Sequence, residues 1–384
     1  MSFGKGLSFG KIDCSLVLKE KTVDELGLTL NELDTPFLWV DLDTLEDNIQ
    51  CLASYFRQAR INWRPHTKGI KVPSIARMLV KAGAIGITCA KLGEAEVMAS
   101  AGIKDILIAN QVVGSLKYTR LAELCRQADV KIAVDSEATV SDLSKAALAA
   151  GAEIGVVVEL DTGMQRAGIQ PGKAALALSR LLHDTAGLRY LGLMTWEGHT
   201  VRLEDAELKQ KEINASLKKL MDTVDLCRGA GLPVTLVSCG GSGTYTVASK
   251  VAGITEIQAG GAIFCDVSYK KWGALTKTSL FVRSTVTSRP QPDRIVCDAG
   301  FKTMPKWLYG PQPLGLTGVK TINTSAEHGV LYLEKSNMDV KVGDFLDFIP
   351  DYGDMTVFLH DYIYGIRNGR VEVIWPIAAR GKIR

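Results

Sequence analysis

The stretch FLWVDLDTLEDNIQCLASYFRQARINWRPH, residues 37–66, holds two short strand-like runs around one amphipathic segment. FLWVDL (37–42) and INWRPH (61–66) have strand character, and LEDNIQCLASYFRQA (45–59) has helical spacing. Strand, helix, strand is the order of a βαβ unit, whose two strands lie parallel. The alternation continues to about residue 275 through AIGITCA (84–90), DILIAN (105–110), KIAVD (131–135), IGVVVELD (154–161), YLGLMTW (190–196) and VTLVSCG (234–240). Those eight runs predict a closed (β/α)8 barrel, with TEIQAG (255–260) as a candidate further strand. A doubly wound open sheet is the alternative, but its Gly-x-Gly-x-x-Gly signature is absent from the first turn.

After about residue 276 the texture changes. SLFVRSTVTSR, DRIVCDAG, GVLYLE, DFLDFIP and VEVIWPIAAR are strand-like, and NG (368–369), VGD (342–344) and PQP (311–313) divide them. No long helical pattern intervenes, so this part reads as a mostly antiparallel β domain. The expected division is a barrel over 36–275 and a β domain over 276–384. Residues 1–35 are left open to packing on the latter.

The 384 residues are 46% hydrophobic and 23% charged, with a net charge of +3 and no basic blocks. That excludes an electrostatic partner such as nucleic acid or a membrane surface and leaves a small-molecule substrate. No apolar run has the length of a membrane span, and the N-terminus lacks the apolar core of a secretory signal. The eight cysteines (14, 51, 89, 125, 227, 239, 265 and 297) form no Cys-x-x-Cys pair, which suits reduced thiols in the cytoplasm.

In a barrel, chemistry collects at the C-terminal ends of the strands. There stand His66 and Lys68 in NWRPHTKGIK (62–71), Asn110, Asp135, Arg166 in DTGMQRAG (161–168), and Trp196, Glu197 and His199 in TWEGHT (195–200). Each alone reads as a cap or turn residue; together they share one rim. CGGSGTY (239–245) follows a late strand. Its glycines admit an anion close to the backbone, and Ser242 and Thr244 add hydroxyls, so it is a candidate phosphate cradle as well as an ordinary turn. A lysine and a phosphate cradle on one rim suggest pyridoxal phosphate (PLP), whose aldehyde condenses with an amine; the competing reading is a surface lysine.

These motifs resemble the fold-type III PLP enzymes of the D-threonine aldolase and D-serine dehydratase group. TPFLWVDLDTLEDNI (35–49) resembles the family's opening strand and helix, and RPHTK (64–68) its Arg-Pro-His-x-Lys motif. DTGMQRAG resembles Asp-x-Gly-x-x-Arg-x-Gly, TWEGH resembles Tyr-Glu-Gly-His with Trp196 for the tyrosine, and GGSGT (240–244) resembles the phosphate loop. CDAGFK (297–302) and WPIAARGK (375–382) resemble segments of the second domain. The resemblance implies that Lys68 carries PLP and that Arg166 lies near its phenolic oxygen. It implies that Gly241, Ser242, Gly243, Thr244 and Trp196 bind the cofactor, and that Lys68, His66 and His199 serve catalysis. It also implies a homodimer.

The departures bear on the reaction. After the lysine the family continues Thr-His-Lys; here Gly69-Ile70-Lys71 follows. Where the family binds a divalent metal (Mn, Mg or Zn) through His-x-Cys or His-x-Asp, this chain has Tyr352 and Asp354, with His360 and Asp361 nearby. A neutral tyrosine is a poor ligand for such ions. The family's Pro-Gly-Ser-Tyr reads Ala259-Gly260-Gly261-Ala262, without the tyrosine. The resemblance implies a lyase for β-hydroxy-D-amino acids, with retro-aldol cleavage favoured. The alternatives are a D-serine or 3-hydroxy-D-aspartate dehydratase, a racemase or transferase on the same scaffold, and a non-catalytic PLP-binding protein.

Overall fold

The structure, a computed structural model, describes residues 24–384. It is an α/β protein: a parallel eight-stranded barrel and a mostly antiparallel second sheet. The first strand, β1 (Phe37–Asp41), corrects one expectation. It pairs antiparallel with a strand of residues 280–291 and parallel with one of residues 362–367, so it belongs to the second sheet. Its four apolar residues, Phe37 to Val40, fit either sheet. Here its two faces fill two cores. Leu38 and Val40 join the main core, while Phe37 and Trp39 pack with Phe281, Ile366 and Val371.

The chain then crosses to the barrel through the helix Leu42–Ala59, capped by the Asp41 carboxylate accepting from the Thr44 amide at 2.8 Å. Leu45, Ile49, Leu52 and Phe56 form its buried stripe. The barrel strands are β2 (Asn62–Trp63), β3 (Ile87–Cys89), β4 (Asp105–Gln111), β5 (Asp129–Val134), β6 (Ile154–Leu160), β7 (Leu188–Thr195), β8 (Leu236–Cys239) and β9 (Glu256–Ile257). Their order is β2-β9-β8-β7-β6-β5-β4-β3, so the candidate strand at 255–260 is the eighth stave. β6 is buried along its length, as both faces of such a strand are covered. Leu107, Ala133, Val157, Met194 and Leu236 fill the barrel interior.

The ring closes at residues 62–67. This segment donates from Asn62, Arg64 and His66 toward the β9 side, to Thr255, Ile257 and Gln258 carbonyls. On its other side Ile85 and Thr88 donate to the carbonyls of Trp63 and Pro65, and Thr67 donates to that of Thr88 at 2.7 Å. Pro65 has no N–H, and its place between the two neighbours asks for none. Arg64 runs inward and pairs with Glu256 at 2.9 Å and with Asp105; Arg64 and Glu256 are each 2% exposed.

The second sheet contains β10 (Leu280–Gln291), β11 (Arg294–Cys297), β12 (Gln312–Pro313), β13 (Val319–Thr324), β14 (Gly329–Leu333), β15 (Phe345–Ile349), β16 (Tyr362–Arg367) and β17 (Arg370–Pro376). Its main order is β13-β14-β11-β10-β1-β16-β17, with β15 on β10 and β12. Of residues 1–35, Gly27, Thr29 and Leu30 pair with the 369–371 segment; residues 1–23 lie outside the described residues. The chain after β15 returns to the barrel rim. Val267 and Ser268 donate to the carbonyls of Pro350 and Asp351, and the Gly353 amide donates to Asp266 at 2.6 Å. The Asp351 carboxylate accepts from the amides of Trp307, Leu308, Tyr309 and Gly310, which fixes the loop beside it.

Replacing Arg64 by methionine strands the Glu256 carboxylate in the barrel wall. Urea unfolding of Arg64→Met should show a loss of about 3–5 kcal/mol, much of it recovered in Arg64→Met/Glu256→Leu. A loss below about 1 kcal/mol in the single variant contradicts this packing account.

Candidate active site

Lys68 follows the seam. The Thr67 carbonyl accepts from the amides of Ile70 and Lys71, making one tight turn, and Ile70 is fully buried beneath it. The fully buried Glu94 clamps the turn from behind, accepting from Thr67 Oγ1 at 2.5 Å and from Lys71 Nζ at 3.2 Å. Lys68 Nζ is thereby directed into a cavity of about 280 Å³ at the C-terminal rim of the barrel. It lies 3.1 Å from Asp354 Oδ2 and 3.4 Å from the Tyr352 hydroxyl. Burial opposes its charge, but the Asp354 carboxylate outweighs that and raises its pKa, so the free amine is protonated.

Across the cavity lie two glycine loops, Gly240–Gly243 and Gly260–Gly261. The amides of Ser242, Gly243, Gly260 and Gly261 donate to no acceptor among the described residues, although all four residues are buried. Buried N–H groups are seldom left without partners, so this set marks the place of an anion. The hydroxyls expected to help are engaged elsewhere. Thr244 Oγ1 donates to Glu197 at 2.6 Å, and Ser242 Oγ accepts from the Ala262 amide at 2.8 Å. Both serve to shape the loop. A β-carbon on Gly241 would come within 2.6 Å of the Trp196 ring, so the indole rests directly against the glycine backbone.

His66, Arg166 and Asn110 share the cavity. His66 Nδ1 accepts from the Lys68 amide at 3.3 Å, which puts any ring proton on Nε2. Burial lowers the His66 pKa well below the ordinary histidine value, and the Lys68 and Lys71 charges lower it further. Arg166 lies 3.4 Å from Glu159, whose other oxygen accepts from Gln111 at 2.6 Å. Burial raises the Glu159 carboxyl above its usual range, against the pull of Gln111 and Arg166.

Other expected residues fall elsewhere. His199 is exposed, does not line the cavity, and hydrogen-bonds Ser216 at 3.3 Å, with its ring against Gly163. Asp135 accepts from the Gly168 amide at 2.9 Å as a turn cap. His360 is bonded to the Thr303 carbonyl at 2.9 Å, away from Lys68. Tyr352 does line the cavity; Asp354 sits behind it, accepting from Tyr352 at 2.7 Å and from Tyr269 at 3.0 Å. Burial, reinforced by Asp354, raises the Tyr352 phenol pKa and keeps it protonated.

Tyr269 and Trp272 are site residues that motif reading missed. A tyrosyl side chain reaches Gly261 after all: a β-carbon there would collide with the Tyr269 ring. It comes from the short helix Val267–Lys271, capped by Asp266, and the signal was an Asp-x-x-Tyr start just beyond the last barrel strand. Trp272 and Trp307 complete an aromatic wall around Tyr352, with Trp307 stacked on it at 4.6 Å.

Residues 40–267 match the family model "Alanine racemase, N-terminal domain", and residues 279–366 match "Putative serine dehydratase domain". A D-threonine aldolase of Arthrobacter sp is 34% identical over 359 residues, 92% of this chain and 95% of that protein. This chain belongs to that family, the D-threonine aldolase-like fold-type III PLP enzymes. A 3-hydroxy-D-aspartate aldolase of Paracoccus denitrificans (strain Pd 1222) is 33% identical, covering 93% of this chain and 94% of that one. The crystal structure of D-threonine aldolase from Filomicrobium marinum superposes with a TM-score of 0.91 at 34% identity, over 94% of this chain and 99% of that one. The family's barrel and β domain are thus both present here.

The lowered pKa of His66 has a sign that can be checked. Below about pH 6.5 the unfolded chain binds a proton at this residue that the folded chain does not. Stability from a neutral His66 is therefore full above that value and declines as the pH falls below it. NMR titration of the imidazole should show an uncharged His66 at pH 6; a protonated ring there contradicts the assignment.

Proposed function

We propose that this protein is a PLP-dependent lyase that cleaves β-hydroxy-D-amino acids between Cα and Cβ, giving glycine and an aldehyde. The observation that carries the reading is the pairing of one lysine amine with four acceptor-less amides across a single cavity. That arrangement fits a cofactor with an aldehyde at one side and a phosphate at another. When bound, PLP supplies an electron sink for the charge that develops at the substrate Cα.

The chain's own residues divide the remaining work. Lys68 would hold the cofactor covalently and, with substrate bound, would be the amine placed to move protons at Cα. The Ser242, Gly243, Gly260 and Gly261 amides bind the phosphate, with Gly241 and Thr244 fixing the loop and Trp196 backing it. His66 presents an uncharged ring beside Lys68, so it does not compete for negative charge. Arg166, tethered by Glu159, is assigned to the phenolic oxygen. His199 has no contact with the cavity and is left out of the catalytic set.

The donor set at Tyr352 and Asp354 does not fit a divalent metal. The phenol carries its proton toward Asp354, a neutral tyrosine is a poor ligand for such ions, and no cluster of three His, Cys, Asp or Glu exists among the described residues. No step here is routed through a metal. A homodimer is proposed on the family likeness, and a barrel over 36–275 with a β domain over 276–384 remains the proposed division, save that β1 (Phe37–Asp41) belongs to the second sheet. Free thiols at Cys51, Cys89, Cys125, Cys227, Cys239, Cys265 and Cys297 support a cytoplasmic location.

The PLP-loaded protein should release glycine and benzaldehyde from D-phenylserine, and glycine and acetaldehyde from D-threonine, but not from the L-isomers. Lys68→Ala should lose both the visible band of bound cofactor and the cleavage. Release of ammonia and a 2-oxo acid instead would move the enzyme to the dehydratase class; loss of chirality without cleavage would make it a racemase.

A further inference from the structure

Two of the chain's departures from the family pattern, Gly69 and the Tyr352–Asp354 pair, lie 285 residues apart in sequence at their outer positions and touch in space. A β-carbon on Gly69 would overlap Asp354 Oδ1. Only glycine at 69 leaves room for the carboxylate beside Lys68. Once there, every side of Asp354 is met by a donor. Oδ1 accepts from the Tyr269 hydroxyl at 3.0 Å, and Oδ2 accepts from the Tyr352 hydroxyl at 2.7 Å and pairs with Lys68 Nζ at 3.1 Å.

The order of the groups matters. Tyr352 faces the cavity and Asp354 does not, so a substrate hydroxyl meets the phenol first. The ring is held in place by Trp307, stacked at 4.6 Å and 25°, and by Trp272 at 5.6 Å. Its backbone is held by the docking of Pro350 and Asp351 on the barrel rim. A phenol fixed between a cavity and a buried carboxylate is built to pass a proton along a line.

We propose that Tyr352 takes the β-hydroxyl proton of the substrate while passing its own phenolic proton to Asp354, so that this enzyme cleaves its substrate without a divalent metal. The step balances. The substrate O–H bond breaks and its electron pair forms the aldehyde C=O. The Cα–Cβ bond breaks and its pair stays on the Cα side, where a returning proton completes glycine. No oxidant or reductant is consumed. Tyr352 and Asp354 thus do the work a Lewis acid would do at the hydroxyl, and Gly69 is the positioning residue that admits Asp354.

The inference rests on the lyase reading, and the test separates the two. The PLP-loaded full chain is dialysed against EDTA, its metal content is measured, and D-phenylserine cleavage is followed with and without Mn2+. We expect substoichiometric metal, no response of kcat to Mn2+, and no saturable Mn2+ binding by titration. Tyr352→Phe should lower kcat by about 100-fold with cofactor absorbance retained and KM little changed. Gly69→Ala, which displaces the carboxylate without altering it, should lower kcat in the same direction. Tyr352→His should gain Mn2+ binding. Cleavage that EDTA abolishes and Mn2+ restores overturns this inference alone, as does an undiminished kcat in Tyr352→Phe. No cleavage of any β-hydroxy-D-amino acid under either condition overturns the lyase reading and this inference with it.

Discussion

The ion pair between Lys68 and Asp354, 3.1 Å apart, joins the two halves of the molecule at the point where chemistry is placed. Lys68 is delivered by the barrel seam and Asp354 by the segment after β15. Neither is free to wander. The seam is bonded on both sides and anchored by Arg64, while residues 350–353 are stitched to residues 266–268. Asp351 adds the four amides of the 307–310 loop, so Trp307 is set against Tyr352 by the same docking. A shift of the second sheet relative to the barrel would break the Lys68–Asp354 pair and the bonds between residues 350–353 and 266–268 together.

Around that pair the protein buries charge with care. Glu94, Glu159, Glu197 and Asp266 all lie within the walls, and each is met by donors. Burial raises the pKa of Glu159, Glu197 and Asp266, and the hydrogen bonds they accept offset part of that cost. Their role is to fix neighbours: Glu94 the lysine turn, Glu197 the glycine loop, Asp266 the Tyr269 helix and Gly353. The four loop amides, all facing the one cavity, are left without acceptors among the described residues. The site is therefore rigid at the back and unsatisfied at the front, which is the arrangement a tightly held anionic cofactor completes.

Much of this was legible in the sequence. The alternating runs gave away the barrel, and Lys68, His66, Arg166 and the glycine loop converge on one cavity. The illegible parts have physical causes. FLWV (37–40) is apolar throughout, so nothing in it tells a barrel stave from a strand buried between two cores. β9 is only two residues long, too short for a periodic signal. β13 escaped notice because none of its residues is buried and polar residues dilute its apolar pattern. Tyr269 and Trp272 reach the site from one short helix and its end, and Trp307 from a distant loop, and no local motif announces a wall assembled from the two. His199 shows the reverse failure: a motif position whose side chain turns outward to Ser216.

The central claim is that PLP is attached to this chain at Lys68. Borohydride reduction of the cofactor-loaded protein, followed by peptide mass spectrometry, tests it directly. The account predicts a pyridoxyl group on the peptide containing Lys68 and on no other lysine. Attachment at Lys71 or elsewhere, or no attachment at all, would contradict it.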